Sequence, residues 1–105
     1  MYVDDIVDAC LLAGSRKGLP ATTMNVGGRD ALSLAEMARI LAAEGGGQVH
    51  YRPFPEGHKA IDIGSFSTDN SFIRETLGWE PKIPFAEGAR RTIAYFRQHR
   101  EHYLP

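Results

Sequence analysis

The chain has 105 residues, one cysteine and a net charge of −1, with 43% apolar and 24% charged side chains. Those numbers fit one small domain that buries roughly 60–70% of its unfolded surface. They exclude an internal disulfide, and they give no global electrostatic case for nucleic acid or an anionic membrane. No apolar run approaches the roughly 18 residues that a membrane span requires. Asp4 and Asp5 stand where a secretory signal wants positive charge. Cys10 lies in an apolar stretch and reads as a buried packing residue, and the cysteine usage suits a cytoplasmic compartment.

Residues 3–13 are expected to form a helix. Ile6, Val7, Cys10 and Leu11 recur as an apolar stripe, and Asp4 or Asp5 caps the positive helix N-terminus. Residues 14–20 are a turn-rich link. Residues 22–26 have strand propensity and stop at Gly27-Gly28. Ser33-Leu34-Ala35-Glu36 is a capping box that opens a helix reaching about Ala43. Leu34, Met37, Ala38 and Leu41 are its inward side chains, and Gly45-Gly46-Gly47 ends it.

Residues 48–52 read as a second strand, with Val49 and Tyr51 on one face and His50 and Arg52 on the other. Residues 53–67 are expected to be mostly irregular, with Ile61 and Ile63 able to make one short edge strand. Asp69 opens the next helix by accepting from first-turn N–H groups. Phe72, Ile73 and Leu77 form its apolar face, and Gly78 closes it in a left-handed turn before Pro81. A final helix runs from near Phe85 to at least Gln98, with Ala89, Thr92, Ile93 and Phe96 inward. The expected fold is a small α/β lobe, more narrowly α+β, with about four helices and two or three short strands. So few strands rarely make an independent sheet, so this unit is expected to pack against something else.

Few residues look catalytic. No glycine-rich turn leads from a strand straight into a helix, so a dinucleotide phosphate cradle is missing. Gly27-Gly28 reads first as a turn, with phosphate binding as the lesser alternative. No Tyr has a Lys four residues on. His99 and His102 share a helical spacing, but no Cys or Asp lies near them in sequence, so no metal site is assigned. The run His58-Lys59-Ala60-Ile61-Asp62 is the one constellation of interest. Lys59 can hold a diphosphate as a point charge, and Asp62 can accept from sugar hydroxyls. The competing reading is a surface ion pair worth under about 1 kcal/mol.

The order of motifs then carries more than any one of them. Tyr2-Val3-Asp4-Asp5-Ile6-Val7, Met24-Asn25-Val26-Gly27-Gly28, Ser33-Leu34-Ala35-Glu36-Met37-Ala38, Leu77-Gly78-Trp79-Glu80-Pro81 and the final helix follow one another along nearly the whole chain. This succession resembles the C-terminal part of the extended short-chain dehydrogenase/reductases, the NAD-dependent epimerase/dehydratase family that works on sugar nucleotides. The resemblance implies one C-terminal substrate-binding lobe over residues 1–105, a fragment of a longer enzyme that lacks its Rossmann domain. It implies no catalytic residue and no cofactor held by this chain alone, with NAD(P) expected in the full-length enzyme. The family's Arg-x-x-Asp pair contacts the substrate nucleotide, and its Asp stands seven residues before the Asp that opens the Leu-Gly-Trp helix. Asp62 stands seven before Asp69 here, and Lys59 takes the Arg position. Lys59 and Asp62 are therefore the implied substrate residues, with His58 or Arg52 compensating for the bidentate fork that Lys lacks. The family Asp at Asp5 is read as a structural helix cap. The implied partners are a nucleotide sugar, the missing Rossmann domain and, through apolar area left uncovered, a second copy of the chain.

Overall fold

The computed structural model describes residues 1–20, 23–59 and 61–104. Among them are six helices: α1 (Val3–Ser15), α2 (Leu34–Gly45), α3 (Glu56–Lys59), α4 (Ser71–Leu77), α5 (Phe85–Gln98) and α6 (Arg100–Tyr103). The four long helices expected from the sequence are α1, α2, α4 and α5. The short helices α3 and α6 add to them, α3 inside the segment expected to be irregular.

The expected α/β class is corrected, because no strand forms among the described residues. Residues 23–28 and 48–52 lack a ladder, and Ile61 and Ile63 lie outside any regular element. Thr22, at the start of the first expected strand, lies outside the described residues. The physical reason is pairing. A strand is held by a neighbour's N–H and C=O groups, and these segments find no neighbouring strand. The side-chain alternation persists without the ladder: Met24 and Val26 are half-buried, while Thr23 and Asn25 are exposed. Ile61 and Ile63 remain almost fully exposed.

The core is a knot of Ala9 from α1, Ile73 and Leu77 from α4, and Trp79 just beyond, with Leu12, Ala13, Leu19, Met24 and Val26 packed around it. Trp79 is 2% exposed, and its indole N–H donates to the Asp5 carbonyl at 3.0 Å. Asp5 is itself buried. Its two carboxylate oxygens accept from the Lys82 N–H at 2.9 Å and the Ile83 N–H at 3.2 Å. This corrects the helix-cap reading of Asp5: α1 starts at Val3 after Tyr2, with no side-chain cap, and the carboxylate instead fastens the α4–α5 link. The same bonds rotate α1. Asp5 and Ala9 face the core, whereas Ile6, Val7, Cys10 and Leu11, expected inward, are exposed.

At α4 the cap shifts by one residue. Asn70 takes the N-cap position, and Asp69 reaches over it to accept from the Ser71 N–H at 2.8 Å. Gly78 closes the helix in the left-handed region with φ 70°. Phe72 is exposed, so only Ile73 and Leu77 of the expected apolar face are buried.

A second layer pairs α2 with α5. The Ser33 hydroxyl accepts from the Glu36 N–H at 3.3 Å while the Ser33 N–H donates to Glu36 Oε2 at 2.8 Å, which is the expected capping box. Gly88 lets α5 lie against Tyr2, since a Cβ there would stand 3.0 Å from Tyr2 Cδ2. Ala89 is buried and Ile93 half-buried, while Thr92 and Phe96 are exposed, and so are Leu34 and Leu41 on α2. The radius of gyration is 17.3 Å. A compact domain of this length has about 13 Å, so much of this chain's apolar surface has nothing of its own to pack on.

Candidate functional site

Where the loop after residues 23–28 meets the return of the long irregular segment, a cavity of about 330 Å³ opens. Gly28, Arg29, Asp30 and Leu32 make one wall, Phe66, Ser67 and Thr68 another, and Ile83 and Phe85 the floor. The walls are close because Gly27 carries no side chain: a Cβ there would come within 2.6 Å of Thr68 Cβ. Asn70 ties the same spot by donating from Nδ2 to the Gly27 carbonyl at 3.1 Å, and its buried Oδ1 has no partner among the described residues. Asp30 joins wall to floor. Its Oδ2 accepts from the Phe85 N–H at 3.0 Å, satisfying an orphan donor at the start of α5 that Pro84 in the cap position cannot reach.

Arg52, His58, Lys59 and Asp62 lie together on the segment running over 52–62, all exposed, and none lines the cavity. His58 and Lys59 form the last turn of α3. The His58 carbonyl accepts from the Ile61 N–H at 3.2 Å and the Asp62 N–H at 3.1 Å, so the chain folds back after α3. Asp62 Oδ1 then accepts from the Gly64 N–H at 3.2 Å. Lys59 and Asp62 form no ion pair with each other among the described residues. Ala60, between them, lies outside the described residues.

The shifted ionisable groups lie elsewhere. The Ser71 hydrogen bonds hold the Asp69 carboxyl below its ordinary value. The Ser33 hydroxyl and N–H do the same for Glu36. The Arg91 hydrogen bond, with the nearby Arg90 charge, lowers Glu87, and the same bond raises Arg91. The hydrogen bond shared with the Tyr95 hydroxyl raises Tyr103. These are capping and helix-surface interactions, and none marks an acid/base pair.

Sequence reasoning missed Arg29, Phe66 and the floor formed by Phe85. The signal for the first was the Gly27-Gly28 pair, which reports close backbone approach as readily as a plain turn. The cysteine reading is also corrected, since Cys10 is exposed, on the uncovered side of α1. That side carries an apolar groove of about 250 Å³ lined by Ile6, Cys10, Leu19, Met24 and Val26. Among the described residues no group of three His, Cys, Asp or Glu side chains is placed to hold a metal ion. No described helix is long and apolar enough to cross a membrane.

Neither glycine run forms the phosphate cradle of a dinucleotide site. Gly27-Gly28 leads into a loop before α2, and Gly45, Gly46 and Gly47 lie at a helix C-terminus, where carbonyls rather than N–H groups are exposed.

The motif order and the Trp79 knot point to one region of a larger enzyme family, and comparison with known proteins finds the same region. Over 99 residues the chain is 35% identical to a UDP-glucose 4-epimerase of Mycolicibacterium smegmatis, covering 92% of this chain and 30% of the relative. It is 29% identical to a dTDP-glucose 4,6-dehydratase of Streptomyces griseus over 100% of this chain and 31% of the relative. It is 31% identical to a GDP-mannose 3,5-epimerase of Arabidopsis thaliana over 71% of this chain and 19% of the relative. No protein-family model matches the chain, and no solved structure matches it at significant similarity. The chain belongs to the NAD-dependent epimerase/dehydratase family, and it corresponds to the C-terminal region of its relatives. It spans under a third of the length of those curated relatives.

Proposed function

We propose that this chain is the substrate-recognition part of an NAD-dependent nucleotide-sugar epimerase or dehydratase, catalytically incomplete by itself and working in the cytoplasm. The observation that carries the reading is the cleft between residues 28–32 and 66–68 in a chain whose relatives are named for UDP-, dTDP- and GDP-sugars. Lys59 and Asp62, with His58 and Arg52 beside them, sit on the segment that returns into that cleft at Phe66. Their role is to hold the nucleotide end of the substrate. NAD(P) belongs to the remaining part of the enzyme, where it would supply hydride chemistry.

An NMR titration with UDP-, GDP-, dTDP- and CDP-sugars tests the reading. One nucleotide should move the amides of 28–32 and 52–68, and NAD should move none. No response to any nucleotide sugar, with and without the N-terminal portion of a relative added in trans, would sink it.

A second reading, an interaction module, is favoured by the uncovered side of α1. Val3, Ile6, Val7 and Leu11 are exposed beside the apolar groove, and exposed apolar patches of this kind associate. The expected occupant is the Rossmann domain, whose sheet edge would give residues 23–28 the neighbour that they lack. Self-association is the alternative outcome in its absence. A mass independent of protein concentration, with no binding of an exposed-surface dye, would count against this reading.

A further inference from the structure

We propose that Arg29 is the side chain that grips the phosphate-bearing end of the ligand in the cavity beside the Gly27 turn. This rests on the substrate-recognition reading and names a contact that the Lys59–Asp62 pair leaves open.

Arg29 is the basic side chain of the cavity lining, whereas Lys59 lines no part of it. Arg29 has no hydrogen-bond or ion-pair partner among the described residues. Arg74, Arg90 and Arg91, by contrast, all hold carboxylates. Its acidic neighbour does not neutralise it by contact, because Asp30 turns Oδ2 onto the Phe85 N–H. The facing wall adds the hydroxyls of Ser67 and Thr68 as further donors, and the ring of Phe66 as a flat apolar surface. An unengaged guanidinium opposite hydroxyl donors and an aromatic face suits a phosphate joined to a ring system. Only arginine supplies two parallel N–H donors to one phosphate, and Lys59, standing at the family's Arg position, cannot. Arg29 provides that fork from another part of the chain.

The test follows the Arg29 Nε–Hε resonance and the backbone amides of the 15N-labelled chain. Inorganic phosphate, inorganic pyrophosphate, UDP and UDP-glucose are added in turn to wild type, Arg29→Lys, Arg29→Ala and Lys59→Ala. The Arg29 resonance should shift saturably with pyrophosphate and further with UDP. Arg29→Ala should weaken UDP binding about tenfold. Arg29→Lys, which keeps the charge but loses the fork, should weaken it about threefold. Arg29 is exposed, so neither change removes a core contact. An unmoved Arg29 resonance while the 52–62 amides shift would overturn this inference and leave the substrate-recognition reading standing. Wild-type affinity in Arg29→Ala would do the same. An equal response to inorganic phosphate and UDP would assign Arg29 to a free anion and overturn its nucleotide role. Silence at every resonance, both for the chain alone and with the N-terminal portion of a relative added in trans, would overturn both readings.

Discussion

Two stretches of similar length behave in opposite ways. Residues 69–83 bury Ile73, Leu77 and Trp79 and pin their own backbone to Asp5, while residues 48–66 leave Tyr51, Phe54, Ile61, Ile63 and Phe66 exposed. Both are rich in apolar side chains, so composition does not separate them. The difference is the partner. The first stretch folds onto α1 of the same chain, and its turn residues, Gly78 and Pro81, deliver Trp79 to Ala9. The second has strand-forming residues and no strand beside them. A segment with hydrophobic side chains becomes structure only where its backbone and apolar face are both satisfied nearby.

The sharpest way to break the contrast is Trp79→Ala. It removes the most buried apolar side chain among the described residues and the donor to the Asp5 carbonyl, at a cost of about 3–5 kcal/mol. That is comparable to the whole stability of many small domains, so loss of cooperative unfolding in a denaturant titration is expected. Asp5→Ala comes next. It leaves two partly buried N–H groups without an acceptor, for about 2–3 kcal/mol, and Asp5→Asn should recover part of that because its amide oxygen still accepts. A full-strength Asp5→Ala protein in the same titration would show that the α4–α5 link holds itself. Gly78→Ala is smaller, about 1 kcal/mol, because alanine resists a φ of 70°.

The limit of sequence reading runs along the same divide. The capping box at Ser33, the closure at Gly78 and the extent of α5 were legible, because each is written in residues adjacent along the chain. The orientation of α1 was not. Its apolar stripe pointed one way, but a buried carboxylate bonded to residues 82 and 83 turned it the other, and no local pattern announces a contact across that span. The strands failed for a related reason: propensity names what a segment can form, and pairing decides whether it does. At the site, the motif order led to Lys59 and Asp62, but the cavity belongs to Arg29 and Phe66. Those two line one cavity, at a place where Gly27 lets residue 68 approach.

Acid should act weakly, on the helices of the second layer and at the Asp69 turn that opens α4. Ser33→Ala should cost about 1 kcal/mol at neutral pH through the lost cap. Glu36 and Glu87 both have folded values below the ordinary 4.5. A lowered carboxylate stabilises the fold above its unfolded value. That contribution is therefore present above about pH 4.5 and fades as pH falls through the lowered folded values. Glu36 is exposed and Glu87 is half-buried on the helix surface, so a small drop in Tm on acidification is expected, and Glu36→Gln with Glu87→Gln should flatten it. An unchanged pH slope in the double variant would place the acid sensitivity elsewhere.

The smallest stability effect is expected where the apolar surface is greatest. Ile63 is 80% exposed, so Ile63→Ser removes almost no burial, and its change in stability should stay within about 0.5 kcal/mol. Phe66→Ala should behave alike, with its ring 77% exposed at the cavity edge. The pair sharpens the comparison because their readouts should diverge elsewhere. Phe66→Ala should weaken nucleotide-sugar binding, since the ring forms part of the cavity wall. Ile63→Ser should leave binding by the isolated chain unchanged and reduce its tendency to associate. If Ile63→Ser lowered Tm by several degrees, residues 48–66 would be packed in solution, and the absence of a pairing partner would no longer explain their openness.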